Sequence, residues 1–148
     1  MKNTEKDSVP GYIASVVINI VILYLLPRVP DWNIPFITES YGEVLSILMV
    51  STGIQIAGNA SLIFLRSRKA YYIAQIIFSS VTISVLFRLI TVFPFDFSIV
   101  GVPSLDIVMK VIFGIGIFGS AVSILVNAVK LGRSYLPKED NSLSDPED

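Results

Sequence analysis

The chain has 148 residues, of which 53% are hydrophobic and 16% are charged, and its mean hydropathy is +0.71. A soluble domain is about one quarter charged, so this composition excludes an ordinary water-soluble globule, and the apolar content excludes a disordered chain. The absence of cysteine and histidine excludes thiol and disulfide chemistry, histidine-ligated haem and imidazole acid–base catalysis. The sequence therefore indicates an all-α integral membrane protein.

The first apolar segment begins near Tyr12, and its predicted span covers residues 12–29. Its core, which ends at a Pro-Arg-Val-Pro sequence, is short for a membrane helix, so we expect it to extend toward Val9 or Val29. The segment does not end in a small-residue cleavage site, which favours a retained span over a signal peptide. Residues 1–11 are predicted to form a cytoplasmic amino terminus.

Three further apolar segments are long enough to cross a bilayer, and they cover residues 41–65, 70–93 and 105–129. The first of these three begins with the spacing of a capping box, in which Ser40 and Glu43 satisfy free amides at the helix start. The last of them begins with Ser104 as a predicted N-cap and with Asp106 in the positive first turn.

Lysine and arginine residues concentrate at one end of this predicted arrangement. They occur in the amino terminus, in the Arg-Ser-Arg-Lys connection and after the last segment, whereas the first and third connections contain only Arg28. The positive-inside rule therefore places both termini in the cytoplasm. The predicted fold is a four-transmembrane-helix bundle, residues 12–135, built of two in–out–in hairpins in the plasma or cytoplasmic membrane. Residues 136–148 are predicted to be a disordered, acidic cytoplasmic tail.

Four charged residues are predicted to lie in one layer near the outer membrane face, and these are Glu43, Arg88, Asp106 and Lys110. Asp106 precedes Lys110 by four residues, the favoured order for an ion pair along a helix. Arg88 is expected to pair with Glu43 or to reach the headgroups by snorkelling. The first interpretation is an interfacial charge layer. The second is an outward-facing vestibule that attracts an ion, and the third is a contact surface for a partner protein.

Uncharged polar residues form a stripe inside the predicted spans, and its members are Asn19, Ser51, Gln55, Asn59 and Gln75. Amide side chains lose much hydration in hydrocarbon, so we expect them to point inward and to form hydrogen bonds across helices. The alternative is a hydrophilic path or solute pocket in an oligomer. Close helix packing is predicted by the small residues of the fourth segment, which are Gly116, Gly119, Ser120 and Ser123.

These patterns favour a non-enzymatic interaction or assembly module that associates with itself, with another membrane protein or with lipid. A Gly-x-Gly-x-x-Gly pattern begins at Gly114, but it lies inside a predicted span rather than between a strand and a helix. The alternative function is a small oligomeric transporter or channel for an ion or a small polar solute. The expected partners are the lipid bilayer and either a second copy or another membrane protein. No cofactor, metal ion or nucleic acid is expected.

Overall fold

The computed structural model describes residues 9–65 and 67–136, and within them the regular structure is helical apart from one isolated β-bridge. The four long helices are α1 (Val9–Leu25), α2 (Tyr41–Phe64), α3 (Arg68–Val92) and α4 (Ser104–Arg133). Each is long and apolar enough to cross a membrane, α1 together with the 3-10 helix that continues it. The prediction of an all-helical chain with four candidate spans is therefore confirmed. Residues 1–8 of the predicted amino terminus and 137–148 of the predicted tail lie outside the described residues.

Helix α1 continues directly into a 3-10 helix, Leu26–Trp32. Pro27 and Pro30 lie in this segment, and because proline has no amide hydrogen it cannot continue the α-helical hydrogen-bond ladder. The chain therefore tightens into the 3-10 form. The segment ends at Asn33, whose φ of 49° is left-handed, a conformation that asparagine adopts more readily than most residues.

The two predicted side-chain caps are not formed. Ser40 precedes α2, but its side chain makes no capping hydrogen bond, because the first three amides of α2 donate to carbonyls three residues earlier. Helix α4 begins at Ser104 itself, with Pro103 in the cap position, although Asp106 does lie in the first turn as predicted. In both helices, amides that a side-chain cap would otherwise satisfy donate instead to carbonyls of a backbone turn.

The helices pack in chain order, α1 on α2, α2 on α3 and α3 on α4. Within the described residues, no Cα atom of α1 comes within 8 Å of one in α3 or α4, and none of α2 within 8 Å of one in α4. The helices therefore form an open array, and the predicted bundle does not close between its first and last helices. Among helices in lipid, no hydrophobic effect forces closure, so close packing depends on small residues and hydrogen bonds.

Helices α2 and α3 approach each other closely at Gly58. A Cβ atom added at this position would overlap the ring of Phe78. Helix α2 also contributes Val44 and Leu62, which are among the few buried apolar side chains. This approach is not evident from the sequence, because Gly58 is not part of a small-x-x-x-small pattern.

The connections before α2 and after α3 meet at one end of the array, which we call the loop end. An antiparallel bridge joins Ile37 to Phe95. The Thr38 amide donates to the Pro94 carbonyl at 3.1 Å, and the Asp96 amide donates to the Phe36 carbonyl at 2.8 Å. These two hydrogen bonds, named here the loop clasp, bring sequence-distant connections together.

Aromatic rings pack around the loop clasp. The ring of Phe97 stacks on that of Phe36, with centroids 5.2 Å apart, and on that of Phe95 at 6.0 Å. Phe93 meets Phe95 edge to face at 5.7 Å, and Pro94 between them is fully buried. Such aromatic contacts stabilise the loop end beyond the area they bury.

Replacing Gly58 by valine should lower the free energy of unfolding by about 1–3 kcal/mol, because the new side chain occupies the space of the Phe78 ring. Combining Gly58→Val with Phe78→Ala should recover part of this loss. Unfolding of the full chain by denaturing detergent in mixed micelles measures both effects. Gly114→Val is the matched control, since a Cβ there meets no atom within 4 Å. Equal losses at both glycines would contradict the close approach.

Candidate functional site

Two residues of the predicted charge layer meet between α2 and α3 at the loop end. The Arg88 Nη2 atom lies 3.7 Å from the Glu43 Oε2 atom. This contact is the one ion pair found among the described residues. The Arg88 side chain is 46% exposed and that of Glu43 is 62% exposed. Arg88 and Glu43 therefore form the expected ion pair, but a large part of both side chains remains exposed.

The other two residues of the layer do not pair with each other, so the predicted ion pair between Asp106 and Lys110 is wrong. Asp106 Oδ1 accepts a hydrogen bond from the Phe97 amide at 3.3 Å. The Lys110 Nζ atom lies 4.4 Å from the centroid of the Phe93 ring. The Asp106 carboxylate thus has a backbone amide as its partner, and the Lys110 ammonium has the face of an aromatic ring. These local partners replace the ion pair between the two residues.

The predicted polar stripe is satisfied mainly within its own helices. Asn19, Ser51 and Asn59 are buried, and each donates to a carbonyl three or four residues earlier at 2.8 Å. Gln55 and Gln75 are half-buried, and the Gln55 carbonyl accepts from Asn59. The expectation that these side chains bind across helices is therefore wrong for the three buried ones. Short polar side chains reach their own backbone first, which satisfies them without a neighbouring helix.

One direct hydrogen bond between side chains does cross from α3 to α4. The Ser79 hydroxyl donates to the Ser123 hydroxyl oxygen at 3.0 Å, and Asn127 also donates to Ser123. A Cβ added at Gly116 would lie 2.7 Å from Leu86 Cδ1, so these helices approach closely here. Ser120 on the same face of α4 is half-buried.

Gly119 does not take part in this packing. It is exposed, and a Cβ added there would meet no atom within 4 Å. The predicted small residues form two pairs at a spacing of four, Gly116 with Ser120 and Gly119 with Ser123. The first pair therefore faces α3, whereas Gly119 of the second pair lies on an open side of α4.

A polar surface runs along one side of α2 and α3, and we call it the α2–α3 polar face. Its members are exposed apart from Gly53, at which an added Cβ would meet no atom within 4 Å. They follow helical spacing from the ion pair, so the two helices present them on the same side, together with the exposed apolar residues Val50 and Ile77. The α2 members are Glu43, Ser46, Gly53, Ala57 and Ser61, and the α3 members are Ser80, Ser84, Arg88 and Thr91.

In the α3 half of this face, only Arg88 was a predicted site residue. Ser80, Ser84 and Thr91 follow one another at helical spacing, but they are exposed, and each donates to the carbonyl four residues earlier. On α2, the small residues Gly53 and Ala57 are four residues apart, which is the signal that predicts such a face.

A cleft of about 560 Å³ lies at the loop end, between the 3-10 helix Leu26–Trp32 and the start of α2. Its lining is mostly apolar, and Asn33 and Glu39 add polar groups. Thr38 also lines the cleft, and its hydroxyl oxygen is buried without a hydrogen-bond partner. Within the described ranges, no group of three carboxylates is placed to hold a metal ion.

Comparison with known protein families, with curated proteins and with solved structures finds no match to this chain. The function is therefore inferred from the arrangement of its own residues.

The hydrogen bond between Ser79 and Ser123 should couple the two helices. In a double-mutant cycle, Ser79→Ala and Ser123→Ala should show a coupling free energy of about 0.6 kcal/mol, the usual size for hydrogen bonds between membrane helices. Detergent-induced unfolding of the four variants measures it. Ser80→Ala combined with Ser123→Ala is the control and should show no coupling, because Ser80 bonds its own helix. A coupling as large in the control would contradict the assignment.

Proposed function

We propose that this chain is a multi-pass membrane protein that acts as a non-enzymatic interaction or assembly module, through helix–helix association with itself, another membrane protein or lipid. The open array is the observation that supports it. Helices α1 and α4 each pack on one long helix only, and the α2–α3 polar face is uncovered. A chain whose helices leave these surfaces open is suited to contact further helices in the bilayer.

The proposed topology is two in–out–in hairpins with both termini in the cytoplasm. Two sets of contacts support it. The loop clasp joins the first and third connections at the loop end. At the start of α3, the Lys69 Nζ atom lies 3.9 Å from the centroid of the Tyr135 ring, just beyond α4. The basic end that contains Lys69 is the one that the positive-inside rule assigns to the cytoplasm.

The transporter alternative has weaker support from the polar groups. A path for ions or polar solutes needs side chains that are free to replace water. The buried amides of Asn19 and Asn59 donate to their own helices, and Ser79 is bound to Ser123. These side chains are engaged in local structure, which favours packing over conduction.

Cysteine labelling tests the proposed topology, since the chain has no native cysteine. Ser98→Cys should react with a membrane-impermeant maleimide added to intact cells, whereas Ser67→Cys should react only after permeabilisation, because the two exposed serines lie at opposite ends of the array. Gly114→Cys, inside α4, is the unreactive control. Labelling of both serine positions from the same side would contradict the hairpins.

Reconstitution of the full chain into phosphatidylcholine vesicles separates the module from the transporter. We expect energy transfer between donor- and acceptor-labelled chains in the vesicles, and ion and small-solute flux no greater than in protein-free vesicles. Flux that Arg88→Ala or Gln55→Leu abolishes would contradict the module and favour the transporter. Thr82→Ala serves as the control for both variants because its hydroxyl donates to its own helix and Thr82 lies outside the α2–α3 polar face.

A further inference from the structure

The α2–α3 polar face contains two opposite charges that this chain only partly covers. Glu43 lies in the first turn of α2, and Arg88 lies four residues before the end of α3. Four residues correspond to about 6 Å along a helix, so both charges belong to the same level at the loop end. Beside them the face continues with hydroxyl groups and small side chains, among which the apolar Val50 and Ile77 are also exposed.

Hydrocarbon is unfavourable in contact with the charged end of the α2–α3 polar face. A charged group in contact with hydrocarbon is costly, and ionisable residues in membrane helices usually face protein or water. The ion pair at 3.7 Å lies at the loop end, near the predicted outer membrane face, and it leaves 62% of the Glu43 side chain and 46% of the Arg88 side chain open to a further polar partner. A protein surface that offers a positive and a negative charge at the same level would give both Glu43 and Arg88 a second partner.

We infer that the α2–α3 polar face is covered by a second copy of this chain, in a dimer with a two-fold axis along the membrane normal. This inference rests on the proposed function and names its partner. Each copy presents one positive and one negative charge side by side, so the face is complementary to itself. A two-fold axis keeps both copies in the same membrane orientation and brings Glu43 of one copy to the level of the partner's Arg88.

The rest of the face permits the close approach that this contact requires. Ser46, Gly53 and Ala57 have little side-chain volume on either side of the exposed Val50, and small residues of this kind let helix backbones approach in membranes. At Gly53 there is open space where a side chain would be, with no atom of this chain within 4 Å of an added Cβ. A large residue at Gly53 therefore leaves the single chain undisturbed and obstructs only what packs against it.

Two glycine variants of the full chain test the position of the contact. Donor- and acceptor-labelled chains are reconstituted into phosphatidylcholine vesicles, and energy transfer is followed as lipid is added. Gly53→Leu should weaken dimerisation by roughly tenfold or more, because the side chain holds the helices apart. Gly114→Leu on α4 should change it by less than about twofold, since that glycine is equally open but lies elsewhere.

Charge exchange tests whether the contact is made between copies. Glu43→Lys and Arg88→Glu should each reduce dimerisation when assayed alone, because each presents like charges to an identical copy. Mixing the two variants should restore energy transfer between them. Restoration cannot arise within one chain, where the pair remains broken in both variants, so it reports contacts between copies.

Each remaining outcome overturns the inference, and the outcomes separate it from the proposed function. If the wild type associates but only Gly114→Leu disrupts it, the function stands and the α2–α3 polar face is the wrong surface. A failure of the mixed charge variants to associate overturns the self-complementary contact. If the wild type is monomeric at every protein-to-lipid ratio, the dimer is overturned. If the monomeric wild type also conducts ions, the proposed function is overturned as well.

Discussion

Two backbone hydrogen bonds at the loop end determine how the rest of the array is arranged. The loop clasp holds the connection before α2 against the connection after α3. Because α1 and α4 do not meet within the described residues, the other links found there between the two halves of the chain are the stacking of Phe36 on Phe97 and the contacts of α2 with α3. The clasp therefore keeps the start of α2 beside the end of α3. This places Glu43 next to Arg88 and aligns the polar groups of both helices on one side.

Most of the hydrogen-bonded polar side chains in the helices donate to their own backbone, and Ser79 and Tyr41, which bond neighbouring elements, are exceptions. Asn19, Asn59 and Asn127 each donate to a carbonyl four residues earlier. The hydroxyls of Ser80, Ser84 and Thr91 on the polar face do the same. Helices that satisfy themselves in this way need few partners to be stable in lipid. They also gain little from closing into a bundle, which agrees with the open array.

The sequence predicted what depends on composition and on helical spacing, and it failed where local geometry decides. Apolar segments of spanning length predicted four helices, and their polar ends placed Glu43 and Arg88 in one layer. The Ser40 cap and the ion pair between Asp106 and Lys110 were wrong because backbone turns and aromatic groups nearby supplied better partners. The loop clasp was not predictable, since its hydrogen bonds join main-chain atoms of any residue type.

The order of the helix contacts also determines how the array can assemble. Each helix after α1 packs on the one synthesised just before it, so little loop-closure entropy opposes these contacts as the chain lengthens. The loop clasp differs, because Phe36 and Asp96 are separated by two whole helices. It can form only after the chain has been synthesised beyond α3, and it then joins two connections whose helices were synthesised one after another.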